Sequence, residues 1–254
     1  MTGELSDRIA IITGAASGIG RATAVMLARA DAAIAVIDRD AAGLGETATL
    51  CEAAGARVLV ITCDLSATAN IPDAVAQALA EFGRLDILVN CAGTTGRITS
   101  LFDVTDEDWD LVHTVNLKAP MLMMKHVAAH MIACGGGGRI VNVTSSSAHR
   151  ARSRIAYASS KAALTHITRV VAAELGKHDI NVNAVAPGMT DTPMTNAGDA
   201  RGELQQMVTA GRLENFLHRL SEPEDVAATV LFLCLPASRQ ITAQTIHTSA
   251  GSVI

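Results

Sequence analysis

The two side chains best suited to proton transfer are Tyr157 and Lys161, which lie four positions apart in a predicted helix. Residues at this spacing share one face of a helix and can interact. A free phenol has a pKa of about 10, too high for an efficient base at neutral pH, but a neighbouring ammonium stabilises the phenolate and lowers that pKa. Tyr157 is the single tyrosine of the chain. The pair therefore predicts proton transfer to or from a substrate oxygen.

A run of hydroxyl side chains, from Thr144 to Ser147, begins at the end of a predicted strand and precedes Tyr157. A hydroxyl at this point can hydrogen-bond a reacting oxygen and stabilise the charge that develops on it. Ser145 is the first choice because it directly follows the strand. Ser146 and Ser147 are the alternatives.

A glycine-rich segment follows the first predicted strand and opens into a helix; it reads Thr13-Gly14-Ala15-Ala16-Ser17-Gly18-Ile19-Gly20. Glycines let the backbone approach a pyrophosphate, whose charge is favoured by the free N–H groups at a helix N-terminus. Asp38 follows the second strand, where a carboxylate can bind ribose hydroxyls and repel a 2′-phosphate. The pattern predicts a dinucleotide site that prefers NAD over NADP, although the neighbouring Arg39 could still meet a 2′-phosphate.

Short apolar runs alternate with longer helical stretches along the chain. This alternation predicts an α/β fold, a doubly wound parallel sheet with helices on both faces. The predicted strands are Ile9 to Thr13, Ala33 to Ile37, Arg57 to Thr62, Ile87 to Asn90, Arg139 to Thr144 and Ile180 to Val185. The predicted helices include Gly20 to Ala30, Ile71 to Phe82, Asp106 to Cys134 and Tyr157 to Lys177. The 254 residues suit a single domain, 1–254, in which residues 188–220 are the candidate substrate lid.

Composition argues against several classes of function. Aromatic residues make up 2% of the chain and the formal net charge is −5, so neither a stacking platform nor a basic face for nucleic acid is expected. The longest nearly apolar run, Val226 to Leu235, is half the length that a bilayer span needs, and the first residues lack an apolar signal segment. We expect a soluble cytoplasmic protein with neither a membrane nor a nucleic-acid partner.

The five cysteines include no CxxC pair, so we expect buried, reduced thiols rather than disulfides or a zinc site. His126 and His130 lie one helical turn apart but lack the intervening glutamate of a zinc-protease helix. We therefore expect no metal. The acidic residues that follow Thr105 predict the start of a helix, with Thr105 as its N-cap.

The spacing of the glycines, GxxxGxG, resembles the cofactor loop of the short-chain dehydrogenase/reductase family. Further matches to this family follow in order from about Leu5 to Gly251, and they are Asp64-Leu65, Asn90-Cys91-Ala92-Gly93, Asn116, Ser145, Tyr157 with Lys161, Pro187-Gly188 and Glu222 to Val226. Ordered matches over nearly the whole chain are far more specific than any single motif. The resemblance implies a Rossmann-type fold and a homotetramer that packs through the helices 106–134 and 157–177. It also implies catalysis by Asn116, Ser145, Tyr157 and Lys161.

The same resemblance implies a cofactor site made of Gly14, Ser17, Gly18, Ile19, Gly20, Asp38, Asp64, Leu65, Asn90, Ala92, Gly93, Tyr157, Lys161, Pro187, Gly188, Thr190 and Thr192. In the family, the residue matched by Asp64 contacts the adenine amine, and the residue matched by Asn116 holds a water connected to the lysine. The threonine matched by Thr192 bonds the nicotinamide carboxamide. Two departures are Cys91, where the family usually has asparagine, and Thr248-Ser249-Ala250-Gly251, where many members have Val-Asp-Gly-Gly. We expect the second to alter subunit contacts or the pocket edge.

The predicted function is an NAD(H)-dependent oxidoreductase that interconverts a small secondary alcohol and a ketone. One alternative is an NADPH-dependent 3-oxoacyl-carrier-protein reductase, which Asp38 and the absence of a basic residue at Ser17 disfavour. Another is a non-catalytic dinucleotide sensor, which the intact catalytic set disfavours. The basic residues His149, Arg150, Arg152 and Arg154 would favour an anionic substrate if they faced the pocket, and otherwise form a solvated loop. The apolar residues of the lid favour a hydrophobic substrate body.

Overall fold

The computed structural model describes residues 3–97, 100–151, 153–196 and 201–252. Its strands are β1 (Ile9–Thr13), β2 (Ala33–Asp38), β3 (Val58–Thr62), β4 (Ile87–Asn90), β5 (Gly138–Val143), β6 (Ile180–Pro187) and β7 (Thr245–Thr248). Its helices are α1 (Gly18–Arg29), α2 (Ala41–Ala53), α3 (Ile71–Phe82), α4 (Asp106–His113), α5 (Ala119–Cys134), α6 (Ile155–Leu175), α7 (Arg201–Ala210) and α8 (Pro223–Cys234). The strands form one parallel sheet in the order β3-β2-β1-β4-β5-β6-β7.

The strand order reverses at β1, which pairs with β2 on one side and with β4 on the other. The chain therefore builds the sheet outward in one direction as far as β3 and then returns to continue in the other. This doubly wound topology confirms the predicted α/β fold. In such sheets a crevice forms at the carboxyl ends of the strands where the order reverses, and ligands bind there.

Both faces of the sheet are covered by helices, so the inner strands carry apolar residues on both sides. Ile9 and Ile11 of β1 pack into one buried cluster, and Ala10 and Ile12 pack into the other. The first cluster includes residues of α3, α5 and α6, and the second includes residues of α1, α2 and α8. All five residues of β1 are buried, which explains its continuous apolar run.

The predicted strands, and three of the four predicted helices, agree with the structure to within two residues at each end. The stretch predicted as one helix, Asp106 to Cys134, is helical throughout, but a π-helical turn, Thr114–Lys118, divides it into α4 and α5. In this turn the Ala119 N–H bonds to the Thr114 carbonyl, one residue farther back than in an α-helix. Pro120 follows at once, and its missing N–H prevents a regular α-helical bond at this point.

Thr105 is confirmed as the N-cap of α4, since its hydroxyl accepts a hydrogen bond from the Asp108 N–H at 3.2 Å. The expectation of buried thiols holds for Cys51, Cys63 and Cys234. It is wrong for Cys134, which is exposed because it ends α5 beside a run of glycines. Among the described residues, no helix is both long and apolar enough to cross a membrane, and no three His, Cys, Asp or Glu side chains cluster as metal ligands would.

The predicted lid contains α7, which packs on its own small core rather than on the sheet. Leu204, Val208 and Leu220 are buried together, with Met189 and Leu213 against them. Met194, Phe216 and Leu217 are exposed. Residues 197–200 of the predicted lid lie outside the described residues.

Candidate active site

A cleft of about 410 Å³ lies at the carboxyl ends of the strands, at the reversal between β1 and β4. Ligand pockets typically enclose roughly 300 to 1,000 Å³. The predicted site residues on its wall are Gly14, Ser17, Gly18, Ile19, Gly20, Asp38, Leu65, Ala92, Gly93, Ser145, Tyr157, Lys161, Pro187, Gly188, Thr190 and Thr192. Asp64, Asn90 and Asn116 lie outside this lining. The cleft thus brings together most of the residues that the sequence singles out.

Two glycines allow the loop after β1 to pack closely. Gly14 has a φ of 68°, and a Cβ there would lie 2.7 Å from the Ala92 Cα. A Cβ on Gly20 would lie 2.1 Å from the Gly14 carbonyl oxygen. Both positions therefore require glycine, one for the approach of the loop to the segment after β4 and the other for the approach of α1 to the loop. These are the roles that glycines have in dinucleotide-binding loops.

The polar groups of the cleft also suit a dinucleotide. Ser17 takes the N-cap position of α1 with extended backbone, so the first N–H groups of the helix stand at the cleft wall. Such groups favour a phosphate. Asp38 ends β2 on the same wall and accepts hydrogen bonds from the Ala16 N–H at 3.2 Å and the Asp40 N–H at 3.1 Å. Each of its oxygens keeps lone pairs for ribose hydroxyls.

Ser145, Tyr157 and Lys161 converge on the cleft from two elements. Ser145 lies two residues after the end of β5, and its hydroxyl accepts a hydrogen bond from the Ser147 N–H at 3.1 Å. Tyr157 and Lys161 lie on one face of α6, with the Lys161 Nζ 5.9 Å from the centroid of the Tyr157 ring. The Lys161 Nζ also donates to the Val143 carbonyl at 2.9 Å, which fixes the buried ammonium against the end of β5.

Burial shifts the pKa values of the pair in opposite directions. It raises the pKa of the Tyr157 phenol above its usual value, while hydrogen bonding with the Ser145 hydroxyl opposes that rise. It lowers the pKa of Lys161 to about 8. Both shifts arise because a poorly solvated site disfavours the charged form. At neutral pH the protein therefore holds a protonated phenol beside an ammonium that loses its proton in mildly alkaline solution.

Asn116 lies in the π-helical turn and joins it to the segment after β4. Its Oδ1 accepts from the Thr94 N–H and its Nδ2 donates to the Thr94 carbonyl, both at 2.8 Å. The same Nδ2 donates to the Ser160 hydroxyl at 3.1 Å. A Cβ on Gly93 would lie 3.4 Å from both the Asn116 Oδ1 and the Lys161 Nζ. The side chain of Asn116 thus sets the wall beside the lysine without lining the cleft itself.

Asn90 supports the sheet from within. It is buried, and its Nδ2 donates to the Asn142 Oδ1 of β5 at 2.9 Å. The Thr13 hydroxyl accepts from the Cys91 N–H at 3.1 Å and from the Ala92 N–H at 3.2 Å, which ties the segment after β4 to β1. Burial raises the pKa of the Cys91 thiol to about 12, so this side chain is neutral.

The loop after β6 lies over the glycine-rich loop. A Cβ on Gly18 would lie 3.2 Å from the Thr192 side chain. Thr190 pairs with Ser221 in a short parallel bridge, and Arg201 of α7 forms ion pairs with Asp191 and Glu222. These contacts fasten the segment after β6 beside the glycine-rich loop.

Three predicted features stand apart from the cleft wall. Asp64 is exposed, and hydrogen bonding to its carboxylate from the Ser66 backbone lowers its pKa. Arg150 donates to the Ser252 carbonyl at 3.2 Å, and Arg154 donates to the Thr95 hydroxyl at 2.8 Å. These two guanidinium groups therefore bind the chain itself. Arg152 lies outside the described residues.

The sequence motifs do not indicate the apolar wall residues Leu111 and Val115, whereas Met194 belongs to the apolar residues of the predicted lid. Leu111 and Val115 are spaced four apart, a pattern that indicates a shared helix face but does not say what the face contacts. Arg21 and Thr47, which contact the glycine-rich loop from outside the cleft, were also missed. The position of Arg21 directly after the last glycine of the motif was the one available signal.

A family model described as enoyl-(acyl carrier protein) reductase matches residues 14–252. The short-chain reductase protein NovJ of Streptomyces niveus is 38% identical over 247 residues, which cover 96% of this chain and 94% of that protein. The chain belongs to the short-chain dehydrogenase/reductase family.

Other members of the short-chain dehydrogenase/reductase family match over a similar extent. Galactitol 2-dehydrogenase of Agrobacterium fabrum is 35% identical over 257 residues, which cover 98% of each protein. A solved structure of a short chain dehydrogenase from Mycobacterium paratuberculosis, bound to NAD, has 35% identity and a TM-score of 0.88, and the match covers 98% of this chain and 99% of that one. The chain is accordingly an oxidoreductase that acts on CH–OH groups.

Proposed function

We propose that this protein interconverts a secondary alcohol and a ketone with NAD(H). The observation that carries the proposal is the convergence of Ser145, Tyr157 and Lys161 on the same cleft as the glycine-rich loop and Asp38. A proton carrier and a dinucleotide site then share one cleft. A bound nicotinamide dinucleotide supplies the hydride acceptor or donor for this chemistry.

The catalytic roles follow from the positions of the side chains. The Ser145 hydroxyl orients the reacting oxygen and stabilises charge on it. Tyr157 removes the hydroxyl proton of an alcohol or returns a proton to the oxygen of a ketone. The Lys161 ammonium, held on the Val143 carbonyl, stabilises the phenolate form of Tyr157. Asn116 positions the wall beside Lys161. Its main-chain carbonyl is assigned to hold a water, because the α-helical partner of this carbonyl would be the N–H four residues on, and Pro120 at that position has none.

Preference for NAD over NADP is assigned to Asp38. Its carboxylate stands on the cleft wall with both oxygens already accepting backbone N–H groups, a geometry that suits ribose hydroxyls and repels a 2′-phosphate. Arg39 lines the same region, and its guanidinium would favour a 2′-phosphate. Fluorescence titrations with NADH and NADPH test the assignment, and a preference of more than about tenfold for NADPH would contradict it.

The substrate class that fits the wall is an uncharged secondary alcohol with an apolar body. Leu111, Val115 and Met194 line the cleft together with the catalytic residues. Arg150 and Arg154, which could have bound an anionic group, are engaged with backbone and hydroxyl groups of the chain. Apolar side chains at this part of the wall give the hydroxyls of a polyol no hydrogen-bond partners, so they favour a carbinol with an apolar body.

The remaining elements of the proposal concern the whole chain. Residues 1–254 act as one catalytic domain, and residues 188–220 act as the substrate lid. Exposed apolar side chains on α4, α5 and α6 support a homotetramer that packs through these helices. Thr192 is assigned to the nicotinamide carboxamide and Asp64 to the adenine amine.

A screen of secondary alcohols with NAD, followed by absorbance of the reduced cofactor, tests the function. The screen compares apolar cyclic alcohols with polyols such as galactitol, and it includes Tyr157→Phe. We expect turnover of the apolar alcohols, a loss of at least about a thousandfold in Tyr157→Phe, and unchanged cofactor binding in that variant. Retained turnover in Tyr157→Phe would contradict the assigned role.

Two other outcomes would favour the alternatives. Reduction of an acetoacetyl thioester with NADPH, without turnover of alcohols, would indicate an acyl-carrier-protein reductase. The observation that favours this candidate is that the matching family model is described as a reductase of acyl-carrier-protein substrates. Tight binding of NAD without turnover of any alcohol or ketone would indicate a dinucleotide sensor.

A further inference from the structure

Two side chains outside the cleft lining hold carbonyl groups of the glycine-rich loop. Arg21 of α1 donates through Nη2 to the Ala16 carbonyl. The Thr47 Oγ1 of α2 lies 2.8 Å from the Ala15 carbonyl oxygen and 3.0 Å from the Gly43 carbonyl oxygen of its own helix, so the shorter of its two contacts is to the loop. The Arg21 Nε also donates to the Thr47 hydroxyl at 3.1 Å, so that the two side chains form one connected group.

This group is anchored to α2. The Arg21 Nη2 lies 3.3 Å from the Gly43 carbonyl and 2.7 Å from a carboxylate oxygen of Glu46. A Cβ on Gly43 would lie 2.8 Å from the Ala16 carbonyl, so glycine is needed for α2 to approach the loop this closely. Thr47 is fully buried, which leaves water unable to replace its hydroxyl.

The orientation of each carbonyl determines where the next N–H points. A trans peptide unit is planar, so its C=O and N–H point in opposite directions. Holding the Ala16 carbonyl on Arg21 turns the Ser17 N–H toward the cleft, which Ser17 lines. The Ala15 carbonyl and the Ala16 N–H belong to one peptide unit. When Thr47 holds this carbonyl, the Ala16 N–H points away from Thr47, and it donates to the Asp38 Oδ2 at 3.2 Å.

We propose that Arg21 and Thr47 are positioning residues for dinucleotide binding. Arg21 orients the Ser17 N–H that meets the pyrophosphate, and Thr47 orients the peptide whose N–H holds the ribose-binding Asp38. Neither side chain touches the dinucleotide. They preorganise the loop in its binding conformation, which lowers the entropy cost of binding. The inference rests on the proposed function, since it assigns these peptide groups to a dinucleotide.

The test measures the dissociation constants of ADP and of adenosine by calorimetry on the full chain. Both probes carry the adenine and ribose, but only ADP carries a pyrophosphate. Arg21→Met should weaken ADP about tenfold and change adenosine by less than about twofold. Arg21→Lys keeps a cationic donor and should recover part of the loss. Thr47→Val should weaken both probes, and Thr47→Ser, which keeps the hydroxyl, should restore them.

Thr49→Val is the matched control on the same helix. Thr49 is exposed, and its hydroxyl bonds the Gly45 carbonyl of its own helix at 3.0 Å. This variant should bind both probes as the wild type does. Thermal unfolding identifies any variant that fails to fold, and Arg21→Lys and Thr47→Ser then carry the test.

The outcomes separate the inference from the proposed function. Equal losses for ADP and adenosine in Arg21→Met, or no loss, would overturn the role of Arg21. Unchanged binding in Thr47→Val, or failure of Thr47→Ser to restore it, would overturn the role of Thr47. A wild-type protein that binds neither NAD nor ADP would contradict the proposed function itself.

Discussion

Tyr157 is the proposed proton carrier and also the single tyrosine of the sequence, so its ionisation can be observed directly. Near-ultraviolet absorbance of phenolate, with Tyr157→Phe as the blank, reports this one group. We expect the phenol of the free protein to ionise above its usual pKa of about 10, because burial disfavours the phenolate. NAD should lower the midpoint relative to NADH, because the oxidised ring carries one more positive charge. Equal midpoints with the two cofactors would argue against a phenolate beside the nicotinamide.

Lys161 links the site to the stability of the fold. Its pKa in the folded protein is about 8, below the usual value of about 10.4, so between these two values the unfolded chain binds the proton and the folded chain does not. Stability contributed by this group therefore rises with pH across that window, by up to about 1.4 kcal/mol per pH unit.

The variant Lys161→Met removes this dependence. The quantity to measure is the free energy of unfolding of the variant minus that of the wild type, by urea unfolding at a series of pH values. This difference should be highest near neutral pH and should fall as the pH rises above about 8, because only the wild type gains stability there. The exposed Lys125→Met is the control and should show a constant difference. A constant difference in Lys161→Met as well would mean that the buried ammonium keeps its ordinary pKa.

At the scale of elements, the π-helical turn between α4 and α5 is held by Asn116. Asn116→Ala removes two hydrogen bonds to the Thr94 backbone and one to the Ser160 hydroxyl. Because the Thr94 groups would lose their partners, the free energy of unfolding should fall by about 2 to 4 kcal/mol. Turnover should fall as well, since the same bonds set the wall beside Lys161. Urea unfolding and steady-state kinetics measure the two effects, and an unchanged unfolding midpoint would exclude this role for the amide.

Most elements are predictable from the sequence because their signals are local. The inner strands are continuous apolar runs, and the motif residues follow directly after them, so their meeting at one edge of the sheet follows from parallel topology. Strand β7 gives only a weak sequence signal, because Thr245–Thr248 is a short edge strand with one apolar residue. Pro120 marks in the sequence a break in regular α-helical bonding, but the contact between Asn116 and Thr94, which holds the π-helical turn against the segment after β4, is recorded by no periodicity.

The roles of Arg21 and Thr47 could not be predicted for a different reason. Their partners are the carbonyls of Ala15 and Ala16, and the direction of a carbonyl is not written in residue types. The sequence shows a dinucleotide loop, whereas the structure is needed to show what holds its peptide groups in place.

At the scale of the whole molecule, the helices α4, α5 and α6 expose apolar side chains that a tetramer would cover. Val170 of α6 is 54% exposed. Val170→Asp places a charge in the proposed interface, so sedimentation velocity should show a smaller species than the wild type. Val60→Asp, on the edge strand β3 and 42% exposed in the native chain, is the control and should sediment as the wild type does. A wild type that sediments as a monomer would refute the tetramer.

The reversal of strand order also has a kinetic consequence. Strands β1, β2 and β3 pair with neighbours in the chain, whereas β4 must return to β1, with Ala10 opposite Ile87. Closing so long a loop costs entropy, so the first three strands can assemble before β4 inserts. The cleft exists only after that insertion, because its walls come from both sides of the reversal. A dinucleotide therefore binds only the assembled sheet. It should lower the rate of unfolding and leave the rate of folding unchanged.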